Sequence, residues 1–284
     1  MSFERITLSH EHPRIDLSGG KHDPDCLLNL YTDALDELKY IHSKGVVRMV
    51  DCSNHGIGAD WENDARITKE TGIEIIRSTG FYKDPFMPDY VKDAEPEQLR
   101  DIMLDDLHHG AKVIGEIGTS KNEWTPNEHK VFEAAVPAQK ETGCVIITHT
   151  TLGTLIREQT DFFVSKQVNP RKVIISHVAL SNDLDAIRYA LDHGFNVAFD
   201  TIGKVKYLPE ETRIRFVKTL IEEGYAGQLL MSLDITRKSH LKANNGIGYA
   251  YFTDTWLPGL LAAGISEEVL SRIVEQNFTD ILEA

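Results

Sequence analysis

The chain has 284 residues, 41% of them hydrophobic and 26% charged, with a formal net charge of -14. This is the composition of a globular protein rather than a disordered one, and the length suits one α/β barrel of about 250 residues. The acidic balance argues against nucleic acid or an anionic membrane as partner, and no run approaches the roughly 18 apolar residues that cross a bilayer.

The opening segment, MSFERITLSHEH, has neither an apolar stretch nor a cleavage site, so no signal peptide is expected. Short β-like runs then recur at residues 5–9, 46–52, 74–80, 112–117, 144–149, 172–177, 195–200 and 229–233. Most are continuous apolar stretches, as strands buried on both faces should be. Amphipathic, charge-rich segments lie between them: 25–44, 95–109, 125–142, 184–193 and 209–223, with a terminal helix over 266–284. Gly45, Gly72, Gly110, Gly143 and Gly194 stand just before the next strand, where a glycine caps a helix end. Thr125-Pro126 with Glu128, and Asp183, look like helix starts. Strand and helix alternating eight times predict a (β/α)8 TIM barrel, one domain over 1–284. Cys26, Cys52 and Cys144 are far apart and form no CxxC, which predicts a reduced, cytoplasmic protein without disulfides or a thiolate zinc site.

Chemistry-bearing side chains stand at the ends of these runs: His10 and His12 in TLSHEH, Glu116 in KVIGEIG, His149 in VIITHT, His177 in VIISH and Asp234 in LLMSLD. Such barrels work at the C-terminal ends of their strands. Residues i and i+2 of a strand share a face, so His10 and His12 are expected to point inward together. Glu116 would be costly to bury unless paired or metal-bound; Gly115 and Gly118 are read as leaving room for a metal beside it. Each residue also has a plainer reading. Glu116 could pair with a barrel Arg or Lys, His149 and His177 could be hydrogen-bonded core histidines, and Asp234 could cap its turn through Thr236. Together, four imidazoles and two carboxylates suffice for two divalent metals around a shared water. Zn suits these donors, as do Mn, Co and Fe.

HEH on the first strand, THT, the SH of the sixth and SLDITRKSHLK resemble the phosphotriesterase-related branch of the amidohydrolase superfamily. The longer segments TLSHEHPRIDLSG, STGFYKDPF, GEIGTS, FDTIGKVKYLP and DITRKSHLKANNGIGYAY resemble its bacterial homology proteins. The resemblance implies a (β/α)8 barrel with a binuclear zinc site. His10, His12 and Asp234 would hold the more buried metal, His149 and His177 the more exposed one. Glu116 would bridge them, where phosphotriesterase itself has a carbamylated lysine; that departure lowers the expectation of efficient phosphotriester hydrolysis. The implied reaction is attack of a bridging hydroxide on a carbonyl or phosphoryl centre. Asp234, taken to be free of strong pairing, would be the catalytic base.

The segments after the seventh and eighth strands carry Lys204, Lys206, Arg237, Lys238, His240 and Lys242, a basic cluster in an acidic protein. Phosphate sites in such barrels often lie there. Tyr82, Lys204, Lys206, Arg237 and His240 are therefore expected to bind an anionic group, phosphate or carboxylate, on a small-molecule substrate. The plainer reading is ordinary loop lysines, with Arg237 orienting an acidic residue. Relatives with this bridge and basic loop pattern include lactonases of phosphorylated sugar lactones, so that class is the favoured substrate. The alternatives are a phosphotriesterase or amidase, or a metal-binding barrel acting as a binding protein. His22, His42, His55, His108, His109, His129 and His193 read as solvated, Trp61, Trp124 and Trp256 as packing or pocket walls, and 244–248 as a mobile loop near the mouth. Both a monomer and a homodimer are compatible with the sequence.

Overall fold

The computed structural model describes residues 3–284; Met1 and Ser2, at the head of the segment expected to lack a signal peptide, lie outside the described residues. Its strands are β1 (Ile6–Glu11), β2 (Arg14–Asp16), β3 (Leu27–Asn29), β4 (Val46–Asp51), β5 (Glu74–Ile76), β6 (Ser78–Thr79), β7 (Val113–Thr119), β8 (Val145–Thr150), β9 (Val173–Ile175), β10 (Asn196–Phe199) and β11 (Leu229–Met231). Hydrogen-bonded neighbours run β1-β4-β5 and β6-β7-β8-β9-β10-β11, all parallel. β5 and β6 are one stave interrupted at Arg77, so eight staves surround the axis, as the alternation predicts.

Between β11 and β1 no ladder forms among the described residues, and side chains close the seam instead. Ser9 Oγ donates to the Met231 carbonyl at 3.3 Å, and Glu11 reaches across more extensively.

The staves are buried on both faces, which is why their sequences lack polar alternation. Successive residues face opposite ways. One set, including Ile114 and Ile146, packs against the surrounding helices. The other, including Val113, Val145, Ile174, Ala198 and Leu230, forms an inner cluster onto which the last helix (Asn277–Glu283) packs Phe278 and Ile281. The helix Pro126–Thr142 begins with the expected capping box: Thr125 accepts from the Glu128 amide and Glu128 from the Thr125 amide. It ends at Gly143, whose left-handed φ of 69° suits a residue without Cβ.

The expected helix over 25–44 is not continuous. Asp23 and Asn29 accept hydrogen bonds from the amides of Asp25 and Tyr31. These local caps give a 3-10 turn at Pro24–Cys26, then β3, then short helices at Leu30–Asp33 and Leu35–Ser43. β3 pairs antiparallel with β2, a small hairpin beside the barrel mouth. The tail is helical, with a π turn at Arg272–Gln276. Among the described residues no helix is long and apolar enough to cross a membrane.

Candidate metal centre

His10 in β1 and His12 just after it are both fully buried. His10 Nε2 lies 3.2 Å from Glu116 Oε2. His12 Nε2 lies 3.5 Å from Glu116 Oε1 and 3.3 Å from Asp234 Oδ1. On the other side of Glu116, His149 Nδ1 stands 3.1 Å and His177 Nε2 3.4 Å from Oε2, and these two nitrogens are 2.9 Å apart. The donors fall into two groups, His10/His12/Asp234 and Glu116/His149/His177, each with ligand atoms within 4.8 Å of one another. The carboxylate of Glu116 lies between them. All six expected ligands are brought together.

Their hydrogen bonds fit metal binding. His10 Nε2 and His12 Nε2 are buried without a hydrogen-bond partner among the described residues, although carboxylate oxygens stand close. Converging on a common point without hydrogen-bond alignment is what ligand atoms do. The far nitrogens are anchored. His177 Nδ1 donates to Asp200 Oδ1 at 2.8 Å, and a carboxylate can only accept, so Nε2 keeps its lone pair for the centre. The Thr151 hydroxyl donates to the Thr119 carbonyl and so accepts from His149 Nε2 at 3.0 Å, leaving Nδ1 free to coordinate. His10 Nδ1 meets Ser176 Oγ at 3.1 Å and Asp200 Oδ2 at 3.3 Å, and His12 Nδ1 meets Ser53 Oγ at 3.0 Å.

Asp200 also groups with His10 and His177 as a conceivable ligand set. It touches their Nδ1 atoms, however, while Glu116 faces their Nε2 atoms. Asp200 orients the two rings rather than joining the centre.

Charge is balanced within the cluster. Burial pushes the Glu116 carboxyl up, but the His10 and His149 imidazoles outweigh it and hold the group well below the usual carboxylate range. Burial takes His149 down to about 4, against the pull of Glu116. His177 is raised because Asp200 outweighs the penalty of burial.

Three expectations need correction. Asp234 is not free of strong pairing: its Oδ1 faces His12, while its Oδ2 is ion-paired with the Lys204 ammonium. Burial opposes ionisation of Asp234, yet Lys204 and His12 hold its pKa below the ordinary value. Second, Gly115 and Gly118 leave no room for a metal. A Cβ on Gly115 would sit 2.4 Å from the Ile147 carbonyl oxygen, and one on Gly118 3.1 Å from His149 Cβ. These glycines let β8 approach closely. Third, Lys206 is exposed and lines a neighbouring groove, not the metal cavity.

Glu116, His149, His177 and Asp234 form the floor of a cavity of about 270 Å³, lined also by Leu17, Lys21, Tyr82, Lys83, Phe86, Lys204, Tyr207, Arg237 and His240, with His10 and His12 buried beneath it. Ligand cavities run from roughly 300 to 1,000 Å³, so this one admits only a small molecule. Tyr82 Oη stands 3.2 Å from His149 Nδ1. Arg237 is committed to Asp23 and Asp25, at 2.7 and 3.4 Å. His240 lines the wall, and burial takes it down to about 4.

The Phosphotriesterase family model matches residues 4–282. The chain belongs to the phosphotriesterase family. It is a metal-dependent hydrolase of that family, with the family's binuclear site. It is 37% identical to the phosphotriesterase homology protein of Escherichia coli (strain K12), over 98% of both chains. The crystal structure of that protein, with phosphate in its active site, superposes with a TM-score of 0.95, covering 99% of this chain and 100% of the other. Human N-acetyltaurine hydrolase is 30% identical over 90% of this chain and 79% of its own length. A lactonase from Listeria monocytogenes is similar at a TM-score of 0.90 and 25% identity, over 98% of this chain and 94% of that one.

Sequence reasoning missed Glu11, Asp200, Lys83 and Lys21. Asp200 ends its apolar run as the ligands do, so position alone could have raised it. Glu11, between the two histidines, is fully buried. Its Oε1 accepts from Ser232 Oγ at 2.7 Å, Leu233 N at 2.8 Å and Asp234 N at 3.2 Å; its Oε2 accepts from Ile235 N and Tyr249 Oη, both at 3.2 Å. It holds the turn that presents Asp234, whose φ of 52° is left-handed.

Proposed function

We propose that this chain, as one unit over 1–284, hydrolyses a small lactone or ester that carries an anionic group, with a phosphorylated sugar lactone as the favoured substrate. The observation that carries the reading is the convergence of two ligand triads on Glu116 at the floor of a small, cation-lined cavity. Two divalent ions held there, zinc being well suited to imidazole and carboxylate donors, would polarise the scissile oxygen and activate a water. His10, His12 and Asp234 would hold one, His149 and His177 the other, with Glu116 shared. Asp234 is the base: Oδ1 faces the centre and takes the proton of the attacking water, then passes it to the leaving group. Lys204, fixed on Oδ2, keeps that carboxylate ionised and aimed. Tyr82 offers a hydroxyl beside His149 to orient the bound substrate.

An amide is the second reading. It is supported by the likeness to the N-acetyltaurine hydrolases, whose named substrate pairs an acetyl amide with a sulfonate. Phosphotriesters are the third, supported by the family alone. The test is metal content by elemental analysis, with lactones, esters, amides and a phosphotriester screened on the same sample. About two metals per chain with turnover of anionic lactones is the expected result. Two metals without turnover of any of these compounds would overturn the lactone, ester, amide and phosphotriester readings and point to another leaving group or to a binding role. One metal or none would overturn Glu116 as a shared ligand.

A further inference from the structure

We propose that Lys83, on the cavity wall beside His149, is the residue that recognises the anionic group of the substrate. The inference rests on the hydrolase reading above and assigns its anion site to the segment after β6, not to the basic loops after β10 and β11.

Lys21, Lys83, Lys204 and Arg237 bring cations to this cavity. Two are already used. The ammonium of Lys204 is ion-paired with Asp234, and the guanidinium of Arg237 is held by Asp23 and Asp25 on the cavity rim. Lys83 differs. Its Nζ donates to the Asp84 carbonyl at 3.2 Å and sits over the Tyr82 and Phe86 rings, 5.6 and 5.5 Å from their centroids. No carboxylate lies within ion-pair distance of it among the described residues. The adjacent Asp84 carboxylate is turned away, accepting from Thr125 Oγ1 at 2.7 Å and from Asn127 Nδ2 at 3.4 Å. A partly buried ammonium against two aromatic faces has lost water without gaining a counter-charge, so an incoming anion gains more there than at an exposed lysine.

Its placement suits a substrate contact. A Cβ on Gly118 would lie 3.1 Å from His149 Cβ and 3.3 Å from Lys83 Cβ, so both side chains spring from the same spot on the wall. An anion held by Lys83 leaves the rest of a small molecule lying past Tyr82 toward His149 and Glu116. Lys21, exposed on the rim and without an ion pair among the described residues, adds a second, more distant charge. A lysine is a point charge without the fork that fits one oxyanion geometry. The site should therefore accept phosphate, sulfonate or carboxylate, provided the group lies a few bonds from the scissile carbonyl.

The test uses the metal-loaded protein and two non-hydrolysable probes, a pentitol phosphate and the unphosphorylated pentitol, in calorimetric titrations. Turnover of a pentonolactone is followed with and without its phosphate. Wild type should prefer the phosphorylated probe. Lys83→Met should weaken its binding by about tenfold or more, the size of one charge-assisted hydrogen bond, leaving the neutral probe unaffected. KM for the phosphorylated lactone should rise more than kcat falls, and Lys83→Arg should restore most of the loss. A pentitol sulfonate should show the same dependence on Lys83. The proposal is overturned if wild type has no preference for the anionic probe, if Lys83→Met keeps it, or if Arg237→Met abolishes it while Lys83→Met does not. Lys83-dependent binding without turnover of any ester, lactone or amide would uphold the anion site while overturning the substrate reading proposed above.

Discussion

Replacing Glu11 by Gln tests how much the barrel seam depends on one buried carboxylate. Glu11 accepts five hydrogen bonds, three of them from the consecutive amides of Leu233, Asp234 and Ile235. A glutamine can keep its oxygen at the Oε1 position and serve Ser232, Leu233 and Asp234. Its amino group then faces the Ile235 amide and the Tyr249 hydroxyl. The hydroxyl can turn and accept, but the amide cannot. One buried donor is left unpaired, at about 1–3 kcal/mol, and the other bonds lose their charge assistance. Burial outweighs these hydrogen bonds and holds the Glu11 carboxyl above its ordinary pKa, so relief from burying the charge offsets the lost charge assistance and leaves the unpaired donor, a net loss of about 1–3 kcal/mol. At roughly 2 °C per kcal/mol for a chain of this length, the melting temperature should fall by about 2–6 °C. Turnover should fall with it, because the Asp234 amide is one of the donors. Thermal unfolding followed by circular dichroism, alongside steady-state kinetics on metal-replete protein, reads both. A variant that melts within about 1 °C of wild type and turns over normally would refute the argument.

Removing the metals by chelation should release a cross-link between His12 and Asp234, which belong to the first and last staves. Closing so long a loop stabilises by about 5 kcal/mol on the chain-entropy view, so chelated protein should melt about 10 °C lower and recover when zinc is returned; an unchanged melting curve would count against the site. Lys204→Met should cut kcat at least tenfold, a loss of about 1.4 kcal/mol, with metal content unchanged, because Asp234 loses its Oδ2 partner; kcat at the wild-type level would show the ion pair to be incidental. Burial pushes Asp64 up to about 7 despite Arg77, whereas an unfolded Asp titrates near 4. Between these values the unfolded chain releases its proton and the folded chain keeps it, so the stability is full below about pH 4, declines toward pH 7 and is flat above. Asp64→Asn should therefore raise stability at pH 8 more than at pH 4, and equal effects at both would argue that Asp64 titrates normally.

The barrel was legible in the sequence because parallel staves are apolar on both faces and recur with helices between them. The six ligands were legible because each ends such a run, where the topology places them around one axis. What stayed hidden depends on chain conformation rather than period. Asp23 and Asn29 restart the chain locally, so a stretch with helical amphipathicity becomes a hairpin strand and short helices. The charge of Arg237 was visible, but its commitment to Asp23 and Asp25 depends on how that hairpin folds against the loop after β11. Lys204 and Lys206 are two residues apart in one basic segment, yet one is largely buried against Asp234 and the other exposed. Glu11 looks like a spacer between two ligands, since its partners lie more than two hundred positions away.

The two ligand triads differ in where along the chain they come from. Glu116 and His149 lie in β7 and β8 and His177 just after β9, staves that are neighbours in space and consecutive along the chain. His10, His12 and Asp234 join the beginning of the chain to its end. A nascent chain that has emerged as far as residue 200 already carries one complete triad, together with the Asp200 that orients His177. The other triad is still missing its carboxylate and the seam that presents it. The Glu116/His149/His177 group is thus local in the chain, and the His10/His12/Asp234 group spans nearly all of it. That second group comes together only when the last stave docks against the first, so its geometry is tied to the closure of the barrel.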